Sequence, residues 1–425
     1  MKLNVKKTII VGLAFMTISG FWQLYDFMIP LILKDVFKTS DTVSGVVMAL
    51  DNVLALILMP LFGSFSDTVS TKHGKRMPFI VIGTIVTSLT MLLIPTAAAI
   101  KSLIMFVVGL AIVLLALAMY RSPAVALMPD VTVKPLRSKG NAIINLMGAV
   151  GGVIVLLIVS NLGPSDTRGY FPSFIVTALF MFIPVLIMIL KVKENLWVSE
   201  AEKISEKYGI VEDEEENVTE TEAMKPEVKK SLTFFLLAIS FWFMGYNAVI
   251  SAFSRYATLQ IGLTTSQSAN ILLVANVGAI LSFIPIGQIS SKIGRKKMIQ
   301  IGVVILAFAF GTATFYGSFA PLMFGNFLLA GVGWAAINVN SLPVVLEMAK
   351  GTETGRYTGL YYTFSMAAQV ITPILSGLLF DLFGYQVLFP YATVFVILSF
   401  VMVLFVHHGD SKLIDYEEMN LDDVF

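Results

Sequence analysis

The 425-residue chain contains no cysteine, only three histidines and few charged residues. The lack of cysteine excludes disulfides, thiolate metal sites and cysteine nucleophiles. The histidines form no cluster at metal-ligand spacing, and we expect neither a metal ion nor a cofactor. Charged residues make up 13% of the chain and hydrophobic residues 56%, whereas about a quarter of a water-soluble protein is charged. The protein surface is therefore expected to face lipid, and the net charge of +1 gives no indication of a nucleic-acid partner.

Apolar stretches long enough to cross a bilayer as helices recur along the chain. Segments such as Phe79–Thr96 and Leu103–Met119 do not alternate apolar and polar residues, which excludes the strands of a membrane barrel. The first stretch follows Lys2, Lys6 and Lys7, lacks a small-residue cleavage pattern and is long enough to span, so we predict an uncleaved first helix. The sequence predicts an all-α membrane protein with twelve spans, near residues 8–33, 43–65, 78–97, 101–127, 139–161, 171–193, 231–257, 266–290, 298–318, 321–348, 357–380 and 385–406.

A polar stretch between the sixth and seventh spans divides the chain into two sets of six spans. Its acidic run, Glu212–Glu216, is typical of a solvated linker or a surface helix. We therefore predict an N-terminal six-helix bundle (1–193), a cytoplasmic linker (194–230), a C-terminal six-helix bundle (231–407) and an acidic cytoplasmic tail (408–425).

The orientation of the spans follows from the distribution of lysine and arginine in the connections. The even-numbered connections and the N-terminus carry most of these residues, whereas the odd-numbered connections carry only Lys34, Lys38, Lys101, Arg168 and Arg255. The sequence therefore predicts that both termini lie in the cytoplasm. The absence of an organelle address favours the cell membrane.

The two halves repeat the same short motifs, which indicates an internal duplication. Gly63-Ser-Phe-Ser-Asp67 with Gly74-Lys-Arg76 follows the second span, and Gly287-Gln-Ile-Ser-Ser291 with Gly294-Arg-Lys-Lys297 follows the eighth. The ends of the fourth and tenth spans also correspond: they carry Ser122-Pro123 with Asp130 and Arg137, and Ser341-Leu-Pro343 with Glu347 and Arg356. Two pseudo-symmetric six-helix bundles around a site at the membrane midplane are typical of secondary transporters.

These motifs also carry a family resemblance. The segment from Gly63 to Arg76 resembles the signature of the major facilitator superfamily. Pro60-x-x-Gly63-x-x-Ser66-Asp67 and Arg121-Ser-Pro-Ala-Val-Ala-Leu-Met-Pro-Asp130 resemble the sucrose/proton symporters and the neighbouring glycoside–pentoside–hexuronide:cation symporters. The resemblance implies that Asp130 accepts a proton and that Arg137 is its partner. Melibiose-type carriers bind their cation with an acidic pair where this chain has Ala55 and Met59, which favours a proton over sodium.

Two carboxylates lie inside predicted spans, where a charge is costly and is usually functional. Asp26 and Asp51 lie about 10–12 Å from the outer ends of the first two spans, at about 1.5 Å per residue. We predict that Asp26, Asp51 and Asp130 include the cation-coupling group. The alternative for Asp26 and Asp51 is a structural carboxylate bonded to Asn52, Trp22 or Tyr25.

Other charged residues near the cytoplasmic ends of the spans are predicted to form gating ion pairs. These pairs would keep the cytoplasmic side closed in the outward-facing state. We expect Asp67 to pair with Arg76 and Glu347 with Arg356, while Arg121 and Arg137 serve as gates or anchors.

Aromatic rings and amides at midspan positions are candidates for binding a hydroxylated cargo, because sugars stack on rings and donate to amides. The same residues also serve as packing and interhelical contacts, so that both interpretations stay open. The candidates are Trp22, Gln23, Asn52, Asn145, Trp242, Tyr246, Asn247, Asn276, Trp334, Asn338, Tyr361, Tyr362 and Gln369.

The predicted function is secondary transport of a di- or oligosaccharide with a proton or other monovalent cation, by alternating access. The chain contains no G-x-x-x-x-G-K-[ST] loop for ATP-driven transport, and no convergent catalytic set indicates an enzyme. The alternative is a proton-coupled antiporter that exports a drug or a hydrophobic metabolite. We expect a monomer in the lipid bilayer.

Overall fold

Long α-helices dominate the computed structural model, which describes residues 3–133, 136–165, 169–207, 225–348 and 354–409. Twelve of these helical segments are long and apolar enough to cross a membrane, as predicted. The residues of the predicted linker from 208 to 224 and of the tail from 410 onward lie outside the described part.

The first six spans comprise seven helices, because the third span breaks at Met91 and Leu92. They are α1 (Val5–Asp35), α2 (Asp41–Thr68), α3 (Met77–Thr90), α4 (Leu93–Ala99), α5 (Leu103–Asp130), α6 (Arg137–Leu162) and α7 (Phe171–Lys191). A surface helix, α8 (Glu194–Lys207), follows them.

The second six spans begin with α9. They are α9 (Pro226–Arg255, continued by a π-helical turn over Tyr256–Gln260), α10 (Thr265–Ile293), α11 (Arg295–Ala313), α12 (Leu322–Met348), α13 (Thr354–Phe383) and α14 (Leu388–Leu404, preceded by a 3₁₀ turn over Tyr385–Val387).

Polar residues at the helix starts explain where several spans begin. The side chains of Asn4, Ser40 and Ser102 accept a hydrogen bond from the first turns of α1, α2 and α5. Thr264 and Gln267 form a reciprocal capping box at the start of α10. Such caps satisfy backbone N–H groups that the helix itself leaves unpaired.

The duplicated motif places a glycine with positive φ before the third span of each half. Gly74 before α3 and Gly294 before α11 have φ values of 111° and 97°. Glycine adopts this region without the steric cost that a Cβ imposes. The connections themselves differ, because Gly294 alone separates α10 from α11, whereas Gly74 lies in a longer loop between α2 and α3.

The twelve spans place both ends of the described chain on one side, which we call the termini face; the other side is the opposite face. The two halves meet along three helix pairs, α2 with α13, α6 with α10 and α1 with α9. At the opposite face the approach is very close: a Cβ on Gly45 would contact the backbone of Pro373, and one on Gly377 the backbone of Asp41. The seam between the halves is therefore closed on that side.

Helix α8 packs on the termini face of the N-terminal half. Its Glu194 and Trp197 are buried, and Lys7 of α1 pairs with Glu200 and lies 5.2 Å from the ring centre of Trp197. Residues 194–207 of the predicted linker therefore form a helix that packs on this half.

Candidate functional site

A cavity of about 220 Å³ lies between the two halves, within the membrane-spanning part of the bundle. The N-terminal half contributes residues of α1, α2 and α5, and the C-terminal half residues of α9 and α13. Its lining consists of Trp22, Asp26, Met48, Asp51, Asn52, Arg121, Asn247, Ile250, Ser251, Gln369 and Pro373. A cavity bordered by both halves is positioned to respond when the halves move relative to each other.

All the charged residues that line this cavity come from the N-terminal half. Asp26, Asp51 and Arg121 face the same space from three different helices. The amide of Asn52 donates a 2.9 Å hydrogen bond to Oδ1 of Asp51. The guanidinium of Arg121 lies 5.5 Å from the ring centre of Trp22, within cation–π range. The sequence argument placed Arg121 among the gating ion pairs, but the structure places it in the central cavity.

Several hydrogen-bond donors at this site lack an acceptor. Trp22 Nε1 and Asn247 Nδ2 are buried and have no hydrogen-bond partner in the part of the chain described, and the same is true of Trp242 Nε1 nearby on α9. An unsatisfied buried donor is costly, so that such groups mark positions where a ligand or water binds.

Other predicted cargo residues bond to one another or pack. Asn276 donates a 3.1 Å hydrogen bond to Gln23 across the two halves. The rings of Tyr246 and Trp334 stack in parallel with their centres 3.6 Å apart, and the hydroxyl of Tyr361 lies 3.0 Å from that of Ser341.

The remaining candidates differ in exposure. Gln369 lines the cavity and donates a 3.3 Å bond to the carbonyl of Ser365. Trp242 is fully buried, while Asn145, Asn338 and Tyr362 are exposed. Five of the thirteen candidates are thus engaged in hydrogen bonds or stacking with other side chains and do not line the cavity. They are Gln23, Asn276, Tyr246, Trp334 and Tyr361.

A second group of predicted residues lies on the termini face, beside a larger pocket of about 800 Å³. Arg76 pairs with Asp67, bonds Ser66 and donates through Nε to Asp130 at 2.9 Å. Burial alone would lower the pKa of the Arg76 guanidinium, but bonding and attraction to Asp130 and Asp67 raise it above its usual value. Asp130 is therefore part of this cluster and not of the central cavity.

The other predicted gating residues have specific surroundings. Arg137 Nε donates to the carbonyl of Thr132 at 3.2 Å. Glu347 pairs with Arg295, a partner that the sequence argument did not name, and Arg356 is exposed. Arg295 directly follows Gly294, and Arg76 is two residues after Gly74. In each half, an arginine close to the glycine thus pairs with the acid at the end of the fourth span.

Sequence reasoning missed a charged network at the opposite face. Asp41 is buried between the halves, where it accepts bonds from Arg255 at 2.7 Å, Lys34 at 2.6 Å and the hydroxyl of Tyr385 at 2.5 Å. Asp381 of α13 accepts the backbone N–H groups of Asp41 and Thr42. Arg255 contributed to the sequence argument only as a charge in an odd-numbered connection, because its partner is 214 residues away.

Sequence reasoning also missed Glu194. Its carboxylate accepts the backbone N–H groups of Lys75, Arg76 and Met77, and thereby caps α3. A buried acid directly after a span was the available signal, but its partners are more than a hundred residues earlier in the chain.

Comparison with known proteins identifies the family. The sequence model of the Major Facilitator Superfamily matches residues 11–291 and 235–418. The chain belongs to this superfamily. As a member with twelve spans, it is a secondary transporter that binds a small molecule and resides in a lipid bilayer.

Three relatives show how this chain compares with individual transporters. Multidrug resistance protein 2 of Bacillus subtilis (strain 168) is 24% identical over 95% of this chain and 94% of its own length. Sialic acid transporter NanX of Escherichia coli (strain K12) is 25% identical over 83% and 84%. Sucrose transport protein SUC3 of Arabidopsis thaliana is 26% identical, but over only 24% of this chain and 20% of that protein.

Solved structures confirm the fold. A bacterial homolog of the human lysosomal transporter Spinster, in an inward-facing and occupied conformation, superposes with a TM-score of 0.67 at 14% identity, over 96% of this chain and 97% of that one.

Proposed function

We propose that this superfamily member is a symporter that carries a polyhydroxylated solute of the sugar type together with protons. The observation that carries the proposal is the central cavity, where two carboxylates from one half face the amides of Asn247 and Gln369 from the other. Carboxylates and amides exchange hydrogen bonds with hydroxyl groups, and Trp22 provides a ring face for stacking.

The cavity favours a small cargo. Its volume of about 220 Å³ is below the range of about 300–1,000 Å³ that is typical of drug-sized ligand sites. This supports a solute of monosaccharide size more than the di- or oligosaccharide predicted from the sequence. Two relatives, named for sialic acid and for sucrose, support a sugar-type cargo.

Asp26 and Asp51 are the proposed proton-binding groups, because they lie in the cavity itself. A proton on either acid changes the charge beside the cargo, and a ligand shifts a conformational equilibrium only through such differential interactions. Asp130 stays a candidate for coupling through the termini-face cluster, where it holds Arg76.

The proposed cycle is alternating access in the cell membrane, with a monomer as the functional unit. The distribution of lysine and arginine supports a cytoplasmic termini face. The closed seam around Asp41 and Arg255 then faces outward. In this orientation the described conformation is closed to the outside.

The test is transport by the purified chain in liposomes. Uptake is measured with an inwardly directed proton gradient, without a gradient, and with a protonophore. The substrates are labelled neutral and acidic monosaccharides, sucrose and a lipophilic cationic dye. Accumulation of a sugar that requires the gradient supports the proposal. Sugar uptake that is the same with and without the proton gradient contradicts proton coupling.

A second candidate, proton-coupled export of a hydrophobic compound, is favoured by one observation: the relative named for multidrug resistance matches nearly the whole chain. In the same liposomes this candidate predicts that dye moves against the proton flow, while no sugar accumulates. That result would overturn the symport proposal.

A further inference from the structure

We infer that the cargo carries an anionic group, such as the carboxylate of a sugar acid, and that Arg121 binds it. This inference rests on the proposed function, because it specifies the chemistry of the same cavity. It depends on the placement of one guanidinium, the donors around it and the charge balance of the site.

Arg121 has the geometry of an unoccupied anion ligand. Its guanidinium faces the cavity, and among the described residues no carboxylate lies within ion-pair distance and no acceptor bonds it. Its guanidinium lies over the ring of Trp22, and Asp51 attracts it from beyond ion-pair distance. A planar fork of N–H donors without a bonded acceptor matches a carboxylate, which accepts two parallel bonds.

The arginines elsewhere in the bundle show what a structural role looks like in this chain. Arg255 is buried and bonds Asp41, and Arg76 bonds Asp67 and Asp130. Holding an unpaired guanidinium inside a membrane is costly unless it serves a ligand. Within the described part of the chain Arg121 differs from both, because Asp51 attracts it but no carboxylate bonds it.

The neighbouring groups also favour a ligand rich in acceptor oxygens. Trp22 Nε1 and Asn247 Nδ2 are buried donors without partners, on opposite halves of the site. Together with Arg121 they present donors from α1, α5 and α9. A carboxylate with adjacent hydroxyl oxygens accepts from all three, whereas a hydrocarbon cargo satisfies none of them.

The charge balance connects such an anion to proton binding. Around the two acids Asp26 and Asp51, α1 contributes Tyr25, α5 contributes Arg121, which attracts Asp51, and α9 contributes Tyr246, which is close to Asp26. The lining residues of α13, Gln369 and Pro373, are uncharged. An anion on Arg121 would repel an ionised Asp51 or Asp26 nearby. Anion and proton therefore bind more strongly together than separately, and this reciprocity is what a symporter requires.

The test compares matched cargo pairs under conditions that need no driving force. The full chain in liposomes exchanges labelled solute across the membrane at equal pH on both sides. Each sugar acid is compared with its neutral analogues. Glucuronate is paired once with glucose and once with methyl glucuronate, and N-acetylneuraminate is paired with its methyl ester. We expect the acid of a transported pair to exchange about 10- to 100-fold faster than the neutral forms, the range of a charge-assisted bidentate contact.

Variants assign the preference to Arg121. Arg121→Met is expected to remove the preference for the acid, and Arg121→Lys to retain part of it, because lysine keeps the charge but loses the fork. Lys101→Met, which removes a positive charge from an exposed position at the opposite face, is the control and should retain it in full. If Arg121→Met does not fold, as judged by its elution and melting temperature, Arg121→Lys and the wild-type pairs decide.

The outcomes separate the inference from the proposed function. Neutral sugars that exchange as fast as their acids overturn the inference and leave sugar transport intact. A preference for the acid that survives in Arg121→Met overturns the role of Arg121. If no sugar of either kind is exchanged while the lipophilic dye is, the proposed function fails, and the inference fails with it.

Discussion

At the scale of single residues, the cavity contains two acids whose roles can be separated by neutral substitutions. Asp26→Asn and Asp51→Asn keep the size and hydrogen bonding of the side chain but cannot exchange a proton. We expect proton-driven accumulation to fall to a ratio of roughly one for the variant of the coupling acid, because uncoupled cargo only equilibrates. Exchange at equal pH should persist. Both quantities are measured in the same liposomes.

Asp130→Asn is the matched comparison for these variants. Asp130 lies in the termini-face cluster with Arg76, so its variant is expected to slow exchange and accumulation together. If all three variants still concentrate cargo normally, the coupling assignment is wrong. A loss confined to Asp130→Asn would move coupling to that cluster.

The sequence identified the acids of the cavity but not their relation to Arg121. Asp26 and Asp51 were recognisable because a carboxylate inside a long apolar helix is rare. The position of Arg121 was not readable from its distance to the end of α5. The direction in which a helix turns its face depends on packing against other helices, and here α5 turns this residue toward Trp22.

At the scale of elements, the buried acid Glu194 joins α8 to the start of α3. Glu194→Ala would leave the N–H groups of Lys75, Arg76 and Met77 without an acceptor, at a cost of about 1–3 kcal/mol. We expect a lower melting temperature and faster hydrogen exchange at the start of α3. Glu206→Ala, at an exposed position of the same helix, should change stability by less than about 0.5 kcal/mol. Equal effects of the two variants would contradict the capping role.

The contact of α13 with α2 gives a second test at this scale. In Gly377→Ala the new methyl group would press on the backbone of Asp41, whereas a Cβ at Gly359 of the same helix meets nothing within 4 Å. Overpacking costs about 1–3 kcal/mol, which we expect to weaken the closed seam.

Seam opening is measured by labelling a cysteine at Ser251, a buried cavity residue, from the opposite face. Gly377→Ala should accelerate labelling, and Gly359→Ala should not. Unchanged labelling in both variants would show that this contact does not hold the seam.

Helix types and approximate limits were predictable, whereas these contacts were not. Apolar length alone predicts a span, so the twelve spans agree with the structure. The break of the third span at Met91 and Leu92 has a local cause, because Pro95 has no N–H group to bond the carbonyl of Met91, four residues earlier. The approach of Gly377 to Asp41 joins residues on different halves. Such a contact arises from tertiary packing, which a single sequence does not display.

At the scale of the whole molecule, the orientation in the membrane can be tested directly because the chain has no cysteine. Single variants His73→Cys and Lys101→Cys place one thiol in an exposed connection on each face. We expect an impermeant maleimide to label Lys101→Cys in intact cells and His73→Cys only after permeabilisation. The reverse pattern would invert the proposed orientation, and with it the side to which the described conformation is closed.

The two halves of the molecule contribute unequally to the cavity, since all of its charged lining residues belong to the N-terminal half. Under the proposed mechanism, ion dependence and the recognition of uncharged hydroxyls would therefore be inherited separately. A chimera that kept α1–α8 and took its remaining helices from a relative would be expected to accept a different pattern of hydroxyls while it kept its requirement for protons. New sugar specificities would then be able to evolve without changes to the residues that couple transport to protons.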